Sequence, residues 1–189
     1  MNANVAWLLL PDELRRPSRW SAHLRRRAVR QGVDLSRVTL GAGRPWPQIK
    51  NEAGSMSLGE VFLASGTRLW AHKGGELVIG DGSVLDAGVE IIAWTRVTVG
   101  RNCYLGWDVL VMDTDLHGAG DRPVVSRPVA IGNNVRIGAR AMILKGVAIG
   151  DGAVIHPGSI VTHDVPPGVE VGPPPATAKN RVVEISKGK

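Results

Sequence analysis

Cysteine is almost missing from this 189-residue chain: Cys103 stands alone. That excludes a disulfide framework, a CxxC pair, a zinc ribbon and a cysteine-held iron–sulfur site. Small aromatics are equally scarce, with one Tyr and one Phe, so aliphatic side chains must fill the core. Long apolar runs are lacking too. The run from Val5 to Leu10 ends at Pro11, Asp12 and Glu13, far short of the roughly 20 residues that cross a bilayer. No basic n-region precedes it, so it does not read as a signal peptide. These absences predict a soluble, cytoplasmic protein.

What the chain has in quantity is Gly 24 and Pro 12, with Val, Ile, Leu and Ala as most of the apolar remainder. Turn formers and aliphatic filler in this proportion predict many short strands around a narrow core and disfavour a helix bundle. The net charge of +6 is local, because seven arginines between Arg15 and Arg30 more than account for it.

Three zones follow along the chain. Residues 1–35 are read as a helical cap. Ser18 is its N-cap candidate, Trp20, Leu24 and Ala28 share a face at i, i+4, i+8, and Gly32 is the stop. Its arginines read as a solvated face, so no nucleic-acid partner and at most peripheral membrane contact are expected. Residues 36–168 form a Gly/Val/Ile zone, and residues 169–189 a Pro-rich tail.

The middle zone repeats. Ile131, Ile137, Ile143, Ile149, Ile155 and Val161 fall six apart, and a small or β-branched residue lies two before each: Val129, Val135, Ala141, Val147, Ala153 and Ser159. Six residues turn an α-helix by about 600°, so no helix face keeps this period. Short flat strands with glycine corners keep it, three strands to a coil. Upstream, Ile79, Leu85 and Ile91 make one coil and, after a two-residue expansion, Val99, Leu105 and Val111 the next. Leu58 and Leu69 belong to an earlier, irregular one. The gap from Val111 to Ile131 extrudes a loop of about Asp113 to Arg127. Such coils are predicted to stack at about 4.8 Å, each stabilised by its neighbours.

Four stretches carry a family resemblance: AHKGGELVIGDG (71–82), VGRNCYLGWDVLVMDTDLHG (99–118), PVAIGNNVRIGARAMILKGVAIGDGAVI (128–155) and GSIVTHDVPPG (158–168). Together they resemble the hexapeptide-repeat acyltransferases, most closely the sugar and lipopolysaccharide O-acetyltransferase group. The resemblance implies an all-β, left-handed parallel β-helix, a homotrimer, and acetyl-CoA as acyl donor with no metal. It makes His117 of the D-x-D-x-H segment the general base. An imidazole, whose unperturbed pKa is near 6.5, is largely neutral at pH 7 and can take a hydroxyl proton. Asp115 or Asp113 would orient its ring, Asp115 being favoured, and a backbone N–H near Gly138 would stabilise the oxyanion. Coenzyme A would lie along an intersubunit groove on Arg136, Gly138, Ala139, Ser159, Thr162 and His163, with Lys179 at the 3′-phosphate.

The chain departs from the family at Arg136, where Trp is frequent, at His163, where Lys is usual, and at GPPPATAK, where the family has GNPAK. His72, Trp94 and Trp107 are candidates for the acceptor wall. A sugar or glycan hydroxyl is the expected acceptor, with an antibiotic, a natural product or an amino-sugar amine as the alternative. A γ-type carbonic anhydrase needs two zinc-binding histidines close in sequence, yet His156 is the first after His117. A non-catalytic scaffold is the remaining reading.

Overall fold

Each turn of the chain is three short strands joined by three corners. The computed structural model describes residues 19–117 and 123–173. Strands β1 (Thr39–Leu40), β2 (Gln48–Asn51) and β3 (Ser55–Leu58) make the first turn. The second is β4 (Phe62–Leu63), β5 (Arg68–Ala71) and β6 (Glu76–Ile79), and the third is β7 (Val84–Leu85), β8 (Glu90–Ala93) and β9 (Arg96–Val99). Then come β10 (Tyr104–Leu105), β11 (Leu110–Met112) and β12 (Val129–Ile131), followed by β13 (Arg136–Ile137), β14 (Met142–Ile143) and β15 (Ala148–Ile149). Last are β16 (Val154–Ile155), β17 (Ile160–Val161) and β18 (Glu170–Val171).

Every third strand pairs in parallel, which produces three sheets around one axis. Sheet A is β1-β4-β7-β10-β13-β16-β18, sheet B runs from β2 through β5, β8, β11 and β14 to β17, and sheet C from β3 through β6, β9 and β12 to β15. The chain is thus a parallel β-solenoid, as the hexad period predicts. The six hexad aliphatics are each 4% exposed or less, and the small residues two before them are buried as well. Both positions point inward because alternate residues of a strand share a face.

Register follows the predicted coil lengths. Tyr104 lies one expanded coil beyond its partner Val84, and Val154 one regular coil beyond Arg136. Tyr104 also pairs with Arg136, which lies much further along the chain than one coil, so the surplus leaves the stack as the expected loop. The two ends of the loop meet, the Arg127 N–H donating to the Asp113 carbonyl at 2.8 Å. The solenoid also continues to Val171, into the segment read as tail.

Helix α1 (Arg19–Arg30) lies against β2 at the N-terminal end of sheet B. Gly32, at φ 73°, ends it as expected: its N–H bonds Val29 O and that of Val33 bonds Ala28 O, the reciprocal pair of a Schellman cap. Ala28 is 1% exposed and Leu24 packs on the core. The Arg25 guanidinium donates to the carbonyls of Leu35 and Val38, and Gln31 brackets the Asn51 backbone N–H and side chain at 2.8 Å each. The helix thereby covers part of the open end of the stack, whose strand edges would otherwise stay exposed. The expected cap Ser18, the Trp20 side chain and Lys179 lie outside the described residues.

Candidate functional site

The extruded loop leaves β11 and returns at β12, on the corner between sheets B and C. Asp113 begins it and is fully buried. One carboxylate oxygen accepts the Trp94 N–H at 2.7 Å. The other accepts the Thr95 N–H at 2.6 Å, the Thr95 hydroxyl at 2.7 Å and the Arg96 N–H at 2.7 Å. Backbone amides that turn toward the interior at a corner need acceptors, and the buried Asp113 supplies them for the preceding turn. Asp115 ion-pairs with Lys145 across the loop mouth. Leu116 then takes φ 61°, and the His117 N–H closes on Asp115 O at 2.7 Å, which turns an exposed His117 away from the prism.

Neither carboxylate therefore orients the His117 ring, contrary to expectation. That of Asp113 is committed to three amides and a hydroxyl, and that of Asp115 to a lysine ammonium. No described residue hydrogen-bonds the imidazole.

The same corner, in the turns before the loop, carries a column of side chains. Glu52 accepts from Lys50 at 2.6 Å and meets His72 Nδ1 at 2.9 Å. The His72 ring stacks on Trp94 with centroids 3.7 Å apart and 14° between planes, and Lys50 sits 4.3 Å above the Trp70 ring. Lys50 and His72 both hold the Glu52 carboxyl below its ordinary value, the lysine more strongly. A carboxylate at Nδ1 makes that nitrogen the protonated one in a neutral His72 and leaves Nε2 as the acceptor. His72 and Trp94 are thus brought together beside the loop. Trp107 is not: it stands on the corner between sheets A and B, 62% exposed, so the expected wall of Trp94 and Trp107 does not form within one chain. Glu52 and Lys145 went unread in the sequence, because no local motif marks partners that meet only across rungs.

The residues expected along coenzyme A divide between the two edges of sheet B. Gly138 and Ala139 lie on the A–B corner, Thr162 and His163 on the B–C corner. Arg136 points out from sheet A, its guanidinium 5.9 Å from the Tyr104 ring centre. Burial, helped by a 2.8 Å hydrogen bond to Asp86, raises the Tyr104 phenol to about 12. Ser159 is 2% exposed and its hydroxyl donates to His156 O at 2.7 Å, so its side chain points into the core and not toward a groove. The Gly138 N–H donates to Ile155 O at 2.7 Å, which removes it as an oxyanion donor. The next amide, of Ala139, has no acceptor among the described residues.

Outward on sheet B runs an apolar ladder in which Leu110 pairs with Met142 and Met142 with Ile160, the last 63% exposed. Among the described residues, no three His, Cys, Asp or Glu side chains gather closely enough to hold a metal ion. No described helix is long and apolar enough to cross a membrane.

Comparison with known proteins agrees with this geometry. Residues 128–163 match the bacterial transferase hexapeptide (six repeats) family. The galactoside O-acetyltransferase of Escherichia coli (strain K12) is 34% identical over 122 residues, 58% of this chain and 59% of that protein. The 2,3,4,5-tetrahydropyridine-2,6-dicarboxylate N-acetyltransferase of Staphylococcus aureus (strain bovine RF122 / ET3-1) is 39% identical over 92 residues, 49% of this chain and 36% of that protein. This chain thus spans less than two thirds of either relative. Among solved structures, AntD, an N-acyltransferase from Bacillus cereus, superposes with TM-score 0.65 at 16% identity, covering 78% of this chain and 83% of that one. The polySia-specific acetyltransferase NeuO superposes with TM-score 0.53 at 24% identity, covering 76% and 74%. The fold they share with this chain is the parallel solenoid. The chain is thus a parallel β-solenoid that carries the hexapeptide-repeat signature in residues 128–163 and is similar over 122 residues to a galactoside O-acetyltransferase.

Proposed function

We propose that the protein is an acetyl-CoA-dependent acyltransferase that acetylates a hydroxyl of a sugar or glycan-type acceptor, with His117 as general base. The observation that carries this reading is the anchored loop. Asp113 fixes its root to the Trp94 turn, so the loop that bears His117 starts on the corner that carries the Glu52–His72–Trp94 column, and no described residue partners its imidazole. In the reaction the acceptor oxygen attacks the thioester carbonyl as His117 takes its proton. The tetrahedral intermediate then collapses, expelling the coenzyme A thiolate, which recovers that proton. A positioned base of this kind typically contributes about 10²–10⁴-fold in rate. His72 Nε2 and Trp94 hold the acceptor, and the Ala139 amide takes the place of Gly138 as oxyanion donor.

The working unit in this reading is a homotrimer. Threefold rotation with sheet B facing the axis sets the A–B corner of one copy beside the B–C corner of the next. Acetyl-CoA then lies in that seam between Arg136, Gly138 and Ala139 of one subunit and Thr162 and His163 of its neighbour, with Trp107 reaching the acceptor wall across it. The apolar ladder ending at Ile160 supports burial of that sheet.

The test is coenzyme A release from acetyl-CoA with p-nitrophenyl β-galactoside, oligosaccharides and nucleotide amino sugars as acceptors. His117→Ala should lose at least about 10²-fold while keeping its circular dichroism. Near-normal turnover removes His117 from the mechanism. The N-acetyltransferase among the relatives favours an amine acceptor, such as that of an amino sugar, as the second reading. A product whose acetyl group resists hydroxylamine, as an amide does and an ester does not, selects it.

A further inference from the structure

On helix α1, His23, Arg26, Arg27 and Arg30 follow one another at i, i+3, i+4 and i+7, which makes a single stripe about 10 Å long. Leu24 and Ala28 occupy the opposite side, against the prism. Because Arg25, Gln31 and the Gly32 cap fix the helix, the direction of the stripe is fixed as well. All four basic residues are exposed, and together they line a concavity of about 430 Å³. Four helical like-charge neighbours result, His23–Arg26, His23–Arg27, Arg26–Arg30 and Arg27–Arg30, and each disfavours the helix slightly when both members are charged. No acidic residue occurs in the helix, and no described carboxylate pairs with Arg26, Arg27 or Arg30.

The first rungs behave differently. Lys50, Arg68 and Arg96 project from sheets B and C, and Glu52, Glu90 and Glu76 neutralise them in turn. Among the described residues, three cations without an ion pair thus fall together on the helix, whereas Arg44 and Lys73 stand singly on the first turns. Nothing in the described fold uses the helix cations, since their guanidinium groups make no capping contact or ion pair among the described residues.

We propose that the stripe anchors a polyanionic saccharide, so that the acceptor class is a carboxylate- or sulfate-bearing glycan. The glycan's role as acceptor rests on the acyl-transfer reading, while its binding does not. Guanidinium forks pair bidentately with carboxylate and sulfate oxygens, and three of them within two helical turns suit a ligand with repeated charges. Position favours a long ligand. Helix α1 lies on β2, and the loop leaves β11, three rungs further along sheet B, about 14 Å at the ordinary inter-strand spacing. A saccharide held at the stripe reaches the loop along the B–C corner, where Gln31 at the helix end meets Asn51 and Asp113 begins the loop, outside the face that the proposed trimer covers. A bilayer fits less well, because Val29 is the sole large apolar side chain exposed on the described part of the helix, and interfacial helices insert a broad apolar face. A nucleic acid needs a longer phosphate track than the paired cations of the neighbouring rungs leave open.

The decisive measurement is the anisotropy of fluorescein-labelled polygalacturonate with the full chain, without acetyl-CoA, from about 50 mM salt upward. Wild type should bind. Arg26→Glu/Arg30→Glu should weaken binding by at least about tenfold and flatten its salt dependence, whereas Arg26→Lys/Arg30→Lys should retain most of it. Circular dichroism shows whether the helix persists in each variant. Unlabelled dextran should not compete. The proposal is overturned if wild type fails to bind, if the charge reversal has no effect, or if dextran competes equally. Tighter binding to phosphatidylglycerol vesicles or to single-stranded DNA at the same salt overturns it too. Coenzyme A release with p-nitrophenyl β-galactoside, read on the same samples, separates failure of the anchor from failure of the acyl-transfer reading.

Discussion

Trp94 donates its backbone N–H to the Asp113 carboxylate across 2.7 Å, from one rung earlier on the same corner. The acid at the root of the loop is thus also the cap of the turn beneath it, and the adjacent Thr95 and Arg96 amides share it. Asp113→Ala would strand three amides and a hydroxyl that now share one buried carboxylate. Hydrogen bonds to a charged group contribute about 1.5–3 kcal/mol each and are not additive, so a loss of about 3 kcal/mol or more is expected in urea denaturation. Activity should fall further than in a variant of exposed Asp115, because the loop loses its root.

Gly138 is held by stacking. A Cβ there would come within 2.5 Å of the Pro157 backbone nitrogen on the next rung, and backbone cannot swing aside as a flexible side chain can. Gly138→Ala should therefore destabilise by about 1–3 kcal/mol, which lowers Tm by roughly 2–4 °C per kcal/mol in a chain of this size. Calorimetry checks it, and an unchanged Tm would show that the rungs can separate at this point.

Tyr104 is the chain's single tyrosine, so tyrosinate absorbance reports it alone. Burial and the Asp86 hydrogen bond raise its phenol from 10 to about 12. A raised pKa means that folding favours the protonated form. The associated stability is complete below pH 10 and is lost as pH climbs through about 12. Spectrophotometric titration should give a midpoint near 12, and Asp86→Asn should move it down toward 10.

Ile160 exposes 63% of its surface on the ladder it shares with Met142 and Leu110. In the proposed trimer that surface is covered, and Ile160→Glu would bury a charge without a partner. Light scattering should report a trimer for the wild type and a monomer for the variant. A wild-type monomer would remove the intersubunit seam from the proposal.

The solenoid was legible from Ile79 to Val161 because one aliphatic per six residues leaves few geometries open, and counting alone located the loop. The first turn was hidden by uneven coil lengths: Gln48 pairs with Arg68 but Ser55 with Glu76, so the interval between successive rungs changes within a single turn. Ser159 shows how two readings of one residue can conflict. Its place in the series two before each hexad aliphatic points inward, where it lies, whereas family resemblance had put it on the coenzyme. Asp113 and Asp115 look alike in the sequence, and only the rungs above and below reveal that one binds amides and the other Lys145. His72 was visible as a residue but its pairing with Glu52 was not, because the two belong to successive turns of irregular length.

The Arg127 amide meets the Asp113 carbonyl at 2.8 Å, so the backbone resumes its winding beside the point where it stopped. The excursion between them behaves as a cassette clipped at its base, where Asp113 and Asp115 tie it to the rungs on either side. Length and chemistry can change inside it while the coil register stays fixed. A scaffold built this way can exchange acceptors by trading one insert, and leave its prism untouched.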